Sequence, residues 1–156
     1  MGTNIRQRAD GGVGLVQDSD SQEVATFGGA YKAMKVAKVA LAGVAATTGG
    51  ALFAWANPEI ATIIITRLQL DITTKSTGAA AGDFGVAADA TTSADNLIDG
   101  YALGGTEKVV DTMLTADRGT NGLVSRKMTT SQVLTGTGSA TTAGLVGNVY
   151  IHYFIA

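Results

Sequence analysis

The stretch from Ile60 to Thr74 constrains the fold more than any other, because its apolar and polar residues alternate with period two. Ile60, Ile64, Leu68, Leu70 and Ile72 fall on one side, and Arg67, Gln69, Asp71 and Thr73 on the other. Side chains of an extended strand point to opposite faces in turn, so this alternation, rich in β-branched residues, predicts a strand with one buried face. Ile63-Ile64-Ile65 is apolar on both faces, which predicts that this half is covered on both sides or forms a contact surface. Pro58 precedes it, where a strand-start proline removes no ladder hydrogen bond.

Further strand signals recur along the chain. Residues 31–46 carry two patterns. Ala33, Val36, Ala37, Ala40, Leu41 and Val44 fit a helical stripe, whereas Val39 and Leu41 fit an alternating strand. The Thr47-Thr48-Gly49-Gly50 cluster, followed by Leu52 to Trp55, favours the strand and predicts a hairpin. Phe84–Ala88, Val109–Leu114, Leu123–Met128 and Gln132–Thr135 are further candidate strands. Asn121-Gly122 is a strong hairpin dipeptide, since both residues accept positive φ. Residues 92–100 predict a short helical turn with Ser93 as its cap. The final segment places Val149, Ile151, Tyr153 and Ile155 on one face and Tyr150, His152 and Phe154 on the other.

About eight short strands separated by turn signals predict an all-β fold, a two-sheet β-sandwich of jelly-roll-like form. Residues 1–30 hold many glycines and charges and few large apolar groups, and predict an extended N-terminal arm. The expected organisation is thus an arm, 1–30, and a sandwich domain, 31–156.

Charged residues are only 15 % of the 156, against 46 % hydrophobic and 21 glycines. A soluble domain usually carries about a quarter charged residues, so a surface this poor in charge fits a subunit covered by neighbours. A net charge of −2 gives no electrostatic case for nucleic acid. The small basic groups Lys32, Lys35, Lys38 and Arg126-Lys127 read as solvated strand faces. Residues 36–55 are interrupted by Lys38, Gly43 and the Thr/Gly cluster, so no membrane span is expected. Residues 1–9 lack the apolar core of a secretory signal.

Motifs for chemistry are sparse. The absence of cysteine excludes disulfides, thiolate metal sites and a cysteine nucleophile. The one histidine, His152, has no nucleophile paired with it in the sequence, and reads as a surface or packing residue. Asp89, Asp95 and Asp99 share one loop region, but their spacing departs from that of a calcium loop and suits turn and cap hydrogen bonds. Asp10-Gly11-Gly12-Val13-Gly14 lacks the preceding strand and the following Gly-Lys-Ser/Thr of a phosphate loop. No catalytic residue, cofactor or metal is therefore expected, and the chain reads as non-enzymatic. Trp55, Tyr31, Tyr101, Tyr150, Tyr153 and Phe154 read as core and subunit contacts, with a ligand platform as the alternative.

Three stretches carry a resemblance: Trp55-Ala56-Asn57-Pro58 leading into residues 63–74, the TTSADNLIDG stretch at 91–100, and residues 143–153. Spanning roughly residues 36–156, they resemble small tailed-phage virion proteins of the capsid decoration, cement or minor head type. The resemblance implies a jelly-roll-like sandwich on the exterior of a capsid, made in the host cytoplasm. Its implied partners are other copies of itself, as a homotrimer, and the major capsid protein, with no nucleic acid and no membrane. The expected assembly contacts are Ile5, Arg6, Arg8, Val13, Leu15 and Val16 of the arm, with Ile63 and Ile65 of the two-sided apolar stretch. The alternative is a carbohydrate- or receptor-binding sandwich on a fibre or surface, which would need exposed aromatics such as Trp55 and Tyr101 in a row.

Overall fold

A computed structural model describes residues 15–17, 23–25, 33–105 and 108–156. The chain divides into two units, Met1–Ala33 and Met34–Ala156. In the first, β1 (Leu15–Gln17) pairs antiparallel with β2 (Glu23–Ala25). The second is built from β3 (Lys35–Ala42), β4 (Gly50–Ala56), β5 (Ile63–Thr74), β6 (Ala81–Ala87), β7 (Ile98–Ala102), β8 (Val109–Asp111), a four-residue helix α1 (Thr115–Arg118), β9 (Arg126–Met128), β10 (Val133–Gly138) and β11 (Val146–Ile155). Among the described residues no helix is long and apolar enough to cross a membrane.

The strands of the second unit form two antiparallel sheets packed as a sandwich and not closed into a barrel. One sheet runs β4-β10-β6-β7, the other β3-β11-β5-β8, with β9 also on β5. Four sets of pairings nest one inside the next: β6 with β7, β5 with β8 and β9, β4 with β10, and β3 with β11; β6 with β10 and β5 with β11 then join them into sheets. That nesting is a long hairpin rolled over on itself, the jelly-roll path. It places β3 and β4 in different sheets. The expected hairpin at Thr47–Gly50 is therefore a crossover between sheets. Gly49 makes that turn at φ 79° and donates to Ala46 O at 3.1 Å.

The core lies between the sheets. From β5 come Ile63, Ile65, Leu68, Leu70 and Ile72, and opposite them on β11 Val149, Ile151 and Tyr153. The inward parity changes at Thr66, where the register slips by one residue against His152 and Tyr153. A bulge inserts one extra residue, so side chains after it return to the face they would have left. The bulge corrects the simple alternation. Ile64 faces outward, and Ile60 lies outside the strand, fully exposed. On the other sheet Phe53 and Phe84 stack at 6.1 Å across Gly136, which is paired with both. A Cβ on Gly136 would stand 2.5 Å from the Phe53 ring, so the glycine is what lets the two rings meet.

Two loops also differ from expectation. Asn121-Gly122 makes no hairpin. Asn121 donates its amide to Asp95 at 2.8 Å and its backbone N–H to Asp99 at 3.0 Å, and the strand that follows is shortened to β9. Residues 92–97 form no helical turn, and Ile98 onward is strand. Asp89, not Ser93, holds this loop: its Oδ1 accepts the backbone N–H groups of Thr91 and Thr92, each at 2.9 Å. These bonds and those from the threonine hydroxyls, the Thr91 hydroxyl foremost, hold the Asp89 carboxyl below its ordinary pKa.

Candidate functional site

The two outer sheet faces are finished differently. On the β4-β10-β6-β7 sheet the outward residues of β6 and β10 are small, and the 88–97 loop lies directly on them. Thr135 donates its hydroxyl to Thr92 O at 3.0 Å, and the Asn96 side chain bonds both backbone groups of Val86. Gly85 makes room, since a Cβ there would come within 2.8 Å of Asn96 N. The chain thus roofs this sheet with its own loop.

Among the described residues no such loop covers the outer face of the β3-β11-β5-β8 sheet. Register sets its side chains in rows: Val36, His152 and Arg67; then Lys38, Tyr150, Gln69 and Asp111; and Phe154 beside Ile64. Val36 and Val146 are 57 % and 53 % exposed, and Tyr150, Phe154 and Ile64 are half-buried.

A hydrogen-bond network fixes the middle of this face. The Arg67 guanidinium forks onto Asp111, its Nε donating at 3.0 Å and its Nη2 contacting Oδ2. Gln69 donates to Asp111 at 3.3 Å and presents its carbonyl oxygen to His152 Nε2 at 3.1 Å. With the amide so turned, His152 Nε2 is the donor. Asp111 is further held from below: its backbone N–H donates to buried Asp117 at 3.0 Å, and Asp117 also pairs with Lys108. The Arg67 hydrogen bond, outweighing burial, keeps the Asp111 carboxyl below its ordinary pKa. The Asp117 hydrogen bond raises Lys108, whose ammonium also stands 5.2 Å from the Tyr101 ring centre.

Arg67, Asp111, Gln69 and His152 are hydrogen-bonded to one another, and among the described residues no hydroxyl is hydrogen-bonded to the His152 ring. The result is a face of half-buried aromatic, aliphatic and arginine side chains, of which the aromatic and arginine types are enriched at protein contacts.

The residues singled out from sequence are scattered. Ile63 and Ile65 are fully buried in the core, with no side-chain surface left for a partner; their neighbour Ile64 takes the outward place. Leu15 and Val16 stand in β1, paired with Ala25 and Val24. Ile5, Arg6, Arg8 and Val13 lie outside the described residues, as does Tyr31. Asp89, Asp95 and Asp99 are each engaged in loop hydrogen bonds, and no metal-holding cluster occurs among the described residues. Trp55 packs against Tyr153 at 5.5 Å, while Tyr101 lies under Lys108. An open hollow of about 470 Å³ beside residues 77–81 is lined by alanine, glycine and one threonine, and holds no ionisable group.

Sequence reasoning missed Asp111 as the partner of Arg67, because 44 residues separate them. The alternation marked Arg67 and Gln69 as one side of β5 and Tyr150, His152 and Phe154 as one side of β11, but only the pairing of the two strands shows that these share a sheet face. No family model, curated protein or solved structure matches the chain.

Proposed function

We propose that this chain is a non-enzymatic virion structural protein that stabilises a capsid from its exterior, by symmetric self-association and by binding the major capsid protein. One observation carries the reading: the sandwich roofs one outer sheet face with its own loop, and among the described residues no loop covers the other, which carries Tyr150, Phe154, Ile64 and Val36. An ordered face rich in aromatic and aliphatic groups gains most when a partner removes it from water. The low charge of the chain and the jelly-roll path support the same reading, although a fold alone hosts many functions. Modest contacts repeated by symmetry give high occupancy through effective concentration. Residues 1–30 are the second contact of the proposal.

The experiment is co-production of the full chain with the major capsid protein from the same genome, followed by sedimentation of the particles. The chain is expected to sediment at a fixed copy number per capsid protein. Tyr150→Ser with Phe154→Asp, or removal of residues 1–28, is expected to leave it folded in the supernatant. A wild-type chain that never sediments with particles overturns the proposal. The carbohydrate-binding alternative finds no favouring observation, since Trp55 and Tyr101 are each packed against a neighbour.

A further inference from the structure

Asparagine is a covalently labile side chain, because the backbone nitrogen of the following residue can attack its amide carbon without any enzyme. The attack is easiest where that residue is glycine, whose missing Cβ leaves the approach open. The chain has five asparagines, at 4, 57, 96, 121 and 148, and only Asn121 is followed by glycine. Pro58 after Asn57 has no N–H to give up. Leu97 and Val149, after Asn96 and Asn148, are branched and fully buried.

The fold needs both residues of this dipeptide. A Cβ at position 122 would stand 2.1 Å from Arg118 O and 2.6 Å from Leu97 O, so only glycine fits there. Asn121 latches the turn after α1 onto the segment that leads into β7. Its Nδ2 donates to Asp95 Oδ2 at 2.8 Å and its backbone N–H to Asp99 Oδ2 at 3.0 Å. Next to this latch, Leu123 N–H donates to Asn96 O at 3.2 Å. Asn121 is nevertheless exposed to water, and among the described residues no hydrogen bond holds Gly122 N–H. No ion pair among the described residues reaches Asp95 or Asp99.

We propose that Asn121 is a site of spontaneous deamidation in the folded protein, and that the modification turns the latch into a point of repulsion. Solvent base takes the proton from Gly122 N, and the nitrogen lone pair forms a bond to Asn121 Cγ. The bond from Cγ to Nδ2 breaks, and ammonia leaves with a proton from water. Water then opens the cyclic imide at either carbonyl, leaving aspartate in the normal linkage or isoaspartate, in which the backbone runs through the former side chain. Both products exchange the Nδ2 donor for a carboxylate, which only accepts. That carboxylate stands where the bond to Asp95 was, with Asp99 beside it, so three like charges crowd one turn. The turn lifts from Asp95 and Asp99, and the bond from Leu123 to Asn96 goes with it. The proposal is independent of the capsid reading, which rests on the outer sheet face.

The test is incubation of the folded full chain in mildly alkaline buffer, followed by tryptic mapping against a zero-time digest. Cleavage after Arg118 and Arg126 isolates residues 119–126, in which Asn121 is the one amide side chain. This peptide is expected to gain the mass of an amide-to-acid exchange, with both linkages present, while the peptides that carry the other asparagines stay unchanged. A peptide 119–126 that matches the zero-time digest overturns the proposal. The deamidated chain, separated by anion exchange, and the variant Asn121→Asp then report on the latch through amide hydrogen exchange. The Asn121 and Leu123 amides are expected to exchange at least about tenfold faster than in wild type, as loss of a hydrogen bond to a charged group predicts. Unchanged protection at Leu123 overturns the release of the turn. If Asn121→Asp fails to fold, the separated deamidated chain decides.

Discussion

Asn96→Ala tests how the roofed sheet is completed. β6 has β10 along one side and β7 along the other, but β7 reaches only as far as Ile98 opposite Phe84, with Leu97 N–H donating to Phe84 O at 3.1 Å. Beyond that point the backbone groups of buried Val86 would face no strand. The Asn96 side chain fills the place of the missing peptide: its Oδ1 accepts from Val86 N–H at 3.0 Å and its Nδ2 donates to Val86 C=O at 2.9 Å. Truncation to alanine leaves both backbone groups without partners, at about 1–3 kcal/mol each when fully buried. Asn96 is itself half-buried, so water recovers part of this. The expected loss is about 2–3 kcal/mol, which lowers the unfolding temperature by about 8–12 °C in a domain of this size. Urea unfolding should show a lower midpoint at unchanged slope, and hydrogen exchange should show lost protection at the Val86 amide. Asn96→Asp keeps the acceptor but sets a carboxylate oxygen against Val86 C=O. It should also destabilise, and should recover as acid restores a proton that can donate. A loss below about 0.5 kcal/mol for Asn96→Ala, or an unchanged Val86 amide, would refute the idea that this side chain extends the ladder.

Two further expectations concern the polar face and the core. The Asp111 carboxyl is held below its ordinary value of 3.8 by Arg67, so its stabilisation is complete above that value and is lost as pH falls through the lower folded value. Asp111→Asn should therefore cost about 1 kcal/mol near neutrality, a figure kept small by the 39 % exposure of the Arg67 side chain, and should flatten the loss of stability below pH 3.8 in urea titrations. Gly136→Ala sets a methyl 2.5 Å from the Phe53 ring and 2.8 Å from the Phe84 ring, and should lower stability by about 1–3 kcal/mol in thermal unfolding. An unchanged Gly136→Ala would mean that the two rings can separate without cost.

Local patterning was enough to reveal the class of structure and the two central strands. Alternation at residues 68–73 and 149–155 is a property of neighbouring residues on one strand, so the buried set Leu68, Leu70, Ile72, Val149, Ile151 and Tyr153 could be read without knowing any partner. The outward set on β11 was legible for the same reason. Local signals failed where a distant strand intervened. The bulge at Thr66 exists because β11 pairs with β5 in two registers, and it alone buried Ile63 and Ile65 and turned Ile64 outward. Thr47–Gly50 and Asn121-Gly122 have the residues of tight turns. Yet the rolled pairing of β3 with β11 and β4 with β10 made the first a crossover between sheets, and hydrogen bonds to Asp95 and Asp99 held the second as a loop. The Arg67–Asp111 fork and the loop that roofs one sheet both join residues far apart in the chain. Only tertiary structure decides them, because a side chain's partner depends on which strands the fold sets side by side, and local sequence does not encode that.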